Sequence, residues 1–277
     1  MRIVKVIALL GALTAALSPA MADSYGGRVW YDRVTGYYVD NGGEFTLSSD
    51  GGQGLLLSNA AYVPGKTCGI DVQGRSGLQT EGFQTFCVEV KEFVAQPMDI
   101  VLSTYFINQS NGAITGPGSH AVKGSTTYGD NLDARTAYLY HTFAKGQLSS
   151  YGYSSGRSTS AGLLQQVIWY IEGEQSTLPA GQARTWYNQA VDATGVEHHY
   201  NGTDPSGTPT WGDTIGDVRV LTTWSPGNAW YTVDGVPLPT DPNVYKQDQL
   251  YLIPAPGAAL LGVLGLSLVG WVKRRLS

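Results

Sequence analysis

Hydrophobic and polar residues alternate in short runs over the first third of the chain. Such runs, separated by Gly, Asn, Asp and Ser, predict antiparallel strands joined by tight turns. The alternation is clearest around Cys87, in the run that begins at Phe83. The predicted strands of this part cover residues 28–31, 37–39, 44–47, 54–58, 83–90 and 98–107.

The pattern becomes helical after a glycine-rich stretch that ends at Gly129. Asp133 is a candidate N-cap, and Gly146 is a glycine stop at the end of the first helical run. Beyond the helices, β-branched and apolar residues predict strands again. The predicted helices cover residues 134–145, 159 or 160 to 171, and 182–193, and the later strands cover residues 218–224 and 249–253.

A β-rich chain with a central helical stretch predicts an α+β fold. We expect an antiparallel β sandwich or barrel-like body over residues 23–253, with a helical insert at about residues 131–193. Residues 1–22 and residues 254–277 are expected to be separate segments with their own functions.

The first 22 residues have the order of a secretion signal. Arg2 and Lys5 precede an apolar run that is too short to span a bilayer comfortably. Ala20 and Ala22 are the small residues that signal peptidase requires at its cleavage site. We therefore expect export of the chain, with signal peptidase as a partner and cleavage after Ala22.

The last residues form a second ordered segment, with a proline motif, an uncharged apolar run over residues 257–272 and a basic cluster. A run of this length is at the low end for spanning a bilayer alone, and the cluster would hold its end on the cytoplasmic side. An ordinary C-terminal membrane helix is one interpretation. The motif and cluster residues are Pro254, Ala255, Pro256, Lys273, Arg274 and Arg275.

This order resembles the PEP-CTERM sorting tail, which has a Pro-Glu-Pro motif, an apolar helix and an arginine cluster. The resemblance implies an exosortase-type processing enzyme as partner, with the apolar helix anchoring the chain in the membrane before processing. It also implies a location at the bacterial cell envelope or surface, or in the extracellular matrix. The chain departs from the family at Ala255, where the family has glutamate.

Charge and composition agree with export. The formal net charge of −5 becomes about −10 for the body once the five cations of the two end segments are removed. Because no basic patch is present, nucleic acid is excluded as a partner. The sequence also lacks a phosphate-binding loop and a Cys/His cluster with metal-ligand spacing, so we expect no cofactor and no metal.

The two cysteines, Cys68 and Cys87, admit three states. In an exported chain a disulfide between them is the default expectation, and two free thiols are another possibility. The third state depends on the surroundings of Cys87, which lies in an aromatic-Cys-hydrophobic motif on a predicted strand. Far along the chain, Gln165 and Trp169 are four residues apart on one face of a predicted helix.

These two motifs resemble the thioester domains of bacterial surface adhesins. There a Thr-Gln motif ahead of a hydrophobic-Trp pair on a helix pairs with a cysteine on a strand. The resemblance implies a thioester between Cys87 and Gln165, formed with loss of ammonia. Leu164 stands where the family has threonine, and Gln166 follows directly, although the spacing to Trp169 favours Gln165.

Two further groups are weaker candidates. Paired carboxylates could serve a secreted glycoside hydrolase, although carboxylates are more often solvated. Aromatic rings in Gly/Ser-rich loops could stack on an extracellular polysaccharide, or could pack in the core. The carboxylates are Glu89, Glu92, Glu172 and Glu174, and the aromatic residues are Trp30, Tyr151, Tyr153, Trp186, Trp211, Trp224 and Trp230.

The sequence as a whole predicts a non-enzymatic surface or matrix protein with an adhesive or structural role. A covalent adhesin with a Cys87–Gln165 thioester is the first alternative. A secreted carbohydrate-active hydrolase is the second.

Overall fold

The computed structural model describes residues 24–39, 42–49, 61–68, 82–88, 97–102, 132–196, 217–226, 230–233, 236–239 and 245–252. The expected signal segment, with Ala20 and Ala22, lies outside these residues. So does the expected sorting tail over residues 254–277. Within the described ranges, no helix is both long enough and apolar enough to cross a membrane.

Six of the described strands form one antiparallel sheet in the order β10-β7-β6-β1-β4-β5, and two hairpins, β2–β3 and β8–β9, stand apart from it. The strands are β1 (Ser24–Asp32), β2 (Tyr38–Val39), β3 (Gly42–Gly43), β4 (Phe45–Ser49), β5 (Phe83–Thr85), β6 (Met98–Leu102), β7 (Val218–Trp224), β8 (Trp230–Val233), β9 (Val236–Pro239) and β10 (Tyr245–Leu252).

The two edges of the sheet meet just beyond β5. The Leu250 N–H donates to the Phe86 carbonyl at 3.1 Å, and the Val88 N–H donates to the Asp248 carbonyl at 3.2 Å. Cys87 and Gln249 therefore face each other as a non-hydrogen-bonded pair, because the two hydrogen bonds lie on either side of them. In such a pair the side chains lie close together, and the main-chain groups point to the opposite edge.

The strand predicted over residues 83–90 is described only as far as Val88. It consists of the three residues of β5 followed by the bridge at Cys87. The main-chain N–H and C=O of Cys87 face away from β10, and they are available to a partner from another element.

Three helices lie between β6 and β7 in the chain: α1 (Ala134–Ala144), α2 (Arg157–Ile171) and α3 (Gln182–Thr194). The Asp133 side chain accepts the Arg135 N–H, which is the N-cap bond that the sequence predicts. The predictions for α1 and α3 are correct to within one residue. Helix α2 begins earlier than predicted, directly after Gly156, which has a φ of 71°. Helices combined with antiparallel sheet confirm the α+β class.

The β2–β3 hairpin packs against α2, where two glycines allow close approach. A Cβ at Gly162 would lie 1.9 Å from Val39 Cγ1, so only glycine leaves room for the hairpin there. On the hairpin side, a Cβ at Gly42 would lie 3.2 Å from Gln165 Cγ and 3.5 Å from the Trp169 ring. The hairpin backbone therefore covers the side chain of Gln165.

A buried ion pair joins the start of α2 to the chain between β3 and β4. Arg157 Nε and Nη2 donate to the two carboxylate oxygens of Glu44 at 2.9 and 2.7 Å. Glu44 is 0 % exposed and Arg157 4 %. The Tyr151 hydroxyl donates to the same carboxylate, and the guanidinium lies 3.9 Å from the centre of the Tyr37 ring. Burial raises the pKa of Glu44, and Arg157 offsets this only in part.

Candidate functional site

The carboxamide of Gln165 pairs with the main chain of Cys87. The Cys87 N–H donates to Gln165 Oε1 at 3.1 Å, and Gln165 Nε2 donates to the Cys87 carbonyl at 2.6 Å. The carboxamide thus occupies the place that a neighbouring strand would take beside Cys87. Both residues are 0 % exposed. The structure therefore brings together the two residues that the sequence singles out, although 78 positions separate them.

The pairing selects Gln165 over its neighbour Gln166. Gln166 is only partly buried, and its main-chain carbonyl accepts a hydrogen bond from Gln175 Nε2 at 2.7 Å. Trp169 lies one turn further on the same face of α2 as Gln165 and is almost fully buried. The spacing from Gln165 to Trp169 therefore places both side chains on the same buried face of α2.

The Cys87 thiol has two polar neighbours from other strands. Its Sγ lies 3.2 Å from the Tyr31 hydroxyl on β1 and 3.2 Å from Gln249 Nε2 on β10. Both residues are buried. Burial, followed by the neighbouring Cys87, raises the pKa of Tyr31 well above its usual value. Tyr31 therefore presents a neutral hydroxyl to the sulfur at ordinary pH.

The walls of the site are apolar and exclude water. The Tyr31 ring stacks on Phe45, with 4.4 Å between the ring centres. The neighbours of Cys87 and Gln165 along the chain, Phe86, Val88 and Leu164, are also buried. Such a site holds a reactive acyl group away from hydrolysis and strengthens the hydrogen bonds inside it.

The arrangement suits attack of a thiol on a carboxamide. A backbone N–H aimed at a carbonyl oxygen stabilises the negative charge that develops there when a nucleophile adds to the carbonyl carbon. Here that N–H belongs to Cys87, the residue that also carries the nucleophile. The same hydrogen bonds hold the Gln165 carboxamide against the main chain of the residue that carries the thiol.

Cys68 lies apart from this site. It faces Phe83 in an isolated bridge, four residues before Cys87. An extended chain covers about 13 Å over four residues, whereas a disulfide requires Cα atoms within about 7 Å of each other. Both cysteines are buried, and neither is in a disulfide. The Cys68–Cys87 disulfide that the sequence favours is therefore not formed in the structure.

The carboxylate candidates are described only in part. Glu172 is buried, and its Oε1 accepts the Asp133 N–H at 3.3 Å near the start of α1. Glu174 follows α2, while Glu89 and Glu92 lie outside the described residues. The described contact of Glu172 is thus structural, because it joins the end of α2 to the start of α1.

Three of the aromatic candidates belong to the core. Trp186 is fully buried, and its Nε1 donates to the Ser149 carbonyl at 2.8 Å. Tyr151 is buried against it, and the Tyr153 hydroxyl donates to the Phe143 carbonyl at 2.9 Å. The rings of Trp186 and Tyr151 are buried in the core and offer no platform for a sugar, while Tyr153 is partly buried and packs against that core. Of the others, Trp30 lies in β1, Trp224 in β7 and Trp230 in β8, while Trp211 lies outside the described residues.

Three residues of the site were not predicted from the sequence. They are Tyr31, Gly42 and Gln249, which reach the Cys87–Gln165 pair from β1, β3 and β10. A register shift between Lys246 and Gln249 interrupts the pairing of β10 with β7, so strand alternation alone does not fix the face on which Gln249 lies. Nothing local connects that face with Cys87, since the contact spans 162 positions.

Comparison of the whole chain with protein-family models, with curated proteins and with solved structures finds no match. The function of this protein is therefore inferred from the geometry of the Cys87–Gln165 site.

Proposed function

We propose that this chain is an exported bacterial surface protein that attaches covalently to amines through an internal thioester between Cys87 and Gln165. The observation that supports this most is the two-point pairing of the Gln165 carboxamide with the main chain of Cys87, with both residues fully buried. Gln165 is held by both of its polar atoms at a single residue, which carries a thiol.

The thioester forms without any co-reactant. The Cys87 thiol loses its proton, and Sγ attacks Cδ of Gln165. The negative charge moves to Oε1, which accepts the Cys87 N–H. The Cδ–Nε2 bond then breaks, and the nitrogen takes up the thiol proton and leaves as ammonia. Sγ and Cδ remain joined as a thioester.

The second step uses an amine from a target surface. The amine nitrogen attacks the same carbon, the Cδ–Sγ bond breaks, and the amine proton ends on the sulfur. An amide then joins the target to Gln165, and the Cys87 thiol is restored. Water could take the place of the amine, but the apolar walls and the β2–β3 hairpin restrict its access.

The mass of the intact, exported protein tests this proposal. We expect a mass lower by one ammonia than the sequence requires after signal removal, and incorporation of one methylamine when that amine is added. A disulfide would instead lower the mass by two hydrogens. A mass with neither loss, together with no uptake of methylamine, would contradict the thioester and leave a non-covalent structural or adhesive role at the cell surface.

The surface address is part of the same proposal. It is supported by the ordered signal segment, with Ala20 and Ala22, and by the PEP-CTERM-like tail. We expect deletion of residues 254–277 to release the protein from the cells that export it and to abolish C-terminal processing, because the apolar run and basic stop are lost together. Fractionation and mass of the C-terminal peptide measure both effects. Retention and processing that match the full chain would refute the sorting role.

A further inference from the structure

Two polar side chains that the thioester chemistry does not require touch the reacting sulfur. Tyr31 and Gln249 each approach Cys87 Sγ to 3.2 Å. They come from β1 and β10, strands that are not neighbours in the sheet order. Their hydrogen-bonding atoms converge on the sulfur of a fully buried residue. This convergence requires an explanation, because buried polar groups in such a site are costly to place.

The orientation of the Gln249 amide is fixed by a second contact. Its Nε2 also donates to the Gln247 carbonyl at 3.0 Å. A carbonyl oxygen can only accept, so the amide nitrogen and not the amide oxygen must face this side. Gln249 therefore points an N–H at Sγ, and it stabilises the sulfur best when the sulfur is negatively charged.

Tyr31 can adapt to each state of the sulfur. A hydroxyl both donates and accepts, so it can accept the S–H of a thiol and can donate to a sulfur that has lost its proton. In the thioester the sulfur carries no hydrogen, and both Tyr31 and Gln249 would then direct donors at it. These donors are in place before the Cδ–Sγ bond breaks.

We propose that Tyr31 and Gln249 are catalytic residues that stabilise the negative charge on Cys87 Sγ as the thioester opens, an inference that rests on the proposed function. When the amine adds to Cδ and the Cδ–Sγ bond breaks, the bonding electron pair stays on Sγ. The Tyr31 O–H and the Gln249 N–H hold that charge until the proton from the amine reaches the sulfur. Tyr31 and Gln249 thus stabilise the leaving sulfur, while the Cys87 N–H stabilises the carbonyl oxygen.

The variants Tyr31→Phe and Gln249→Met test this inference, because each removes one donor while keeping the size of the side chain. The full chain is expressed for export, and each purified protein is treated with excess methylamine while intact mass is followed over time. We expect each variant to open about 10- to 100-fold more slowly than the wild type, which is the effect of losing one hydrogen bond to a charged group.

Matched controls separate this effect from a general loss of buried polar contacts. Tyr62 and Gln84 are also buried, and their side chains bond to Tyr140 and Thr46 and not to Cys87. Tyr62→Phe and Gln84→Met should open at the rate of the wild type. A melting curve for each protein verifies that it is folded.

The possible outcomes are distinct. Opening of both test variants at the wild-type rate would overturn the inference, and so would faster opening, since that would indicate a loosened site. A folded test variant that forms no thioester, while its control does, supports it, because formation also passes through a charged sulfur. If the wild type itself carries no thioester, the proposed function fails first.

Discussion

Cys87→Ala is expected to show no loss of ammonia and no uptake of methylamine. The variant has no nucleophile for the Gln165 carboxamide, and no other thiol lies at this site among the described residues. The matched control is Cys68→Ala, which removes the other buried cysteine. We expect that control to keep both the mass loss and the reaction with methylamine.

The same measurement identifies the glutamine. Gln165→Glu keeps the shape of the side chain, but a carboxylate resists attack by a thiolate and offers no ammonia as leaving group. We expect it to abolish the thioester completely. Gln166→Glu, one position further along α2, should leave the thioester intact because that residue is outside the site.

Three results would contradict these expectations. Uptake of methylamine by Cys87→Ala would show that the acyl group is carried elsewhere. Loss of the thioester in Gln166→Glu but not in Gln165→Glu would show that Gln166 is the reacting residue. A loss in Cys68→Ala equal to that in Cys87→Ala would favour a disulfide as the shared feature.

Arg157→Met is expected to lower the free energy of unfolding by about 3–5 kcal/mol, the cost of leaving one partner of a buried ion pair without its countercharge. Glu44 would stay fully buried in this variant. Of the groups that now donate to its carboxylate, Arg157 would be lost and the Tyr151 hydroxyl would remain. The measurement is urea denaturation in the Cys87→Ala background, so that no thioester cross-link affects the equilibrium.

The effect should depend on pH in a defined direction. Burial already raises the pKa of Glu44 in the wild type, and loss of Arg157 raises it further. A group whose pKa is higher in the folded state takes up protons on folding, so its contribution to stability is largest at low pH and is lost as the pH rises. The deficit of Arg157→Met should therefore be smaller at about pH 5 than at about pH 8.

Two comparisons verify the cause. Arg184 is an exposed arginine on α3, and Arg184→Met should change stability by less than about 0.5 kcal/mol. The double variant Arg157→Met with Glu44→Gln leaves neither charge of this pair, so it should recover much of the loss. A double variant no more stable than Arg157→Met alone, or a deficit that does not change with pH, would contradict this account.

The ion pair also bears on the reactive site. Glu44 follows the hairpin strand that contains Gly42, and Arg157 begins the helix that carries Gln165. Holding these two segments together keeps the hairpin over Gln165. We therefore expect loss of the pair to expose the proposed thioester to water as well as to lower the stability of the fold.

The sequence by itself determined the local elements. Asp133 and Gly146 mark the ends of α1 because a carboxylate satisfies free N–H groups at a helix start and a glycine tolerates the conformation at its end. The β-branched run in β7 likewise gave the correct strand bounds. Such features depend on neighbours a few positions away, and the chain shows them directly.

The sequence also singled out Cys87 and Gln165, but it could not decide among a disulfide, a thioester and free thiols. Only the tertiary structure places the carboxamide on the Cys87 main chain and keeps Cys68 away from it. The physical reason is that residues 86–88 pair with β10 and close the sheet. This pairing leaves the N–H and C=O of Cys87 facing away from β10, and it brings Gln249 of β10 to the sulfur. Tyr31 and Gln249 lie 56 and 162 positions from Cys87, so no local pattern could have assigned them to this site.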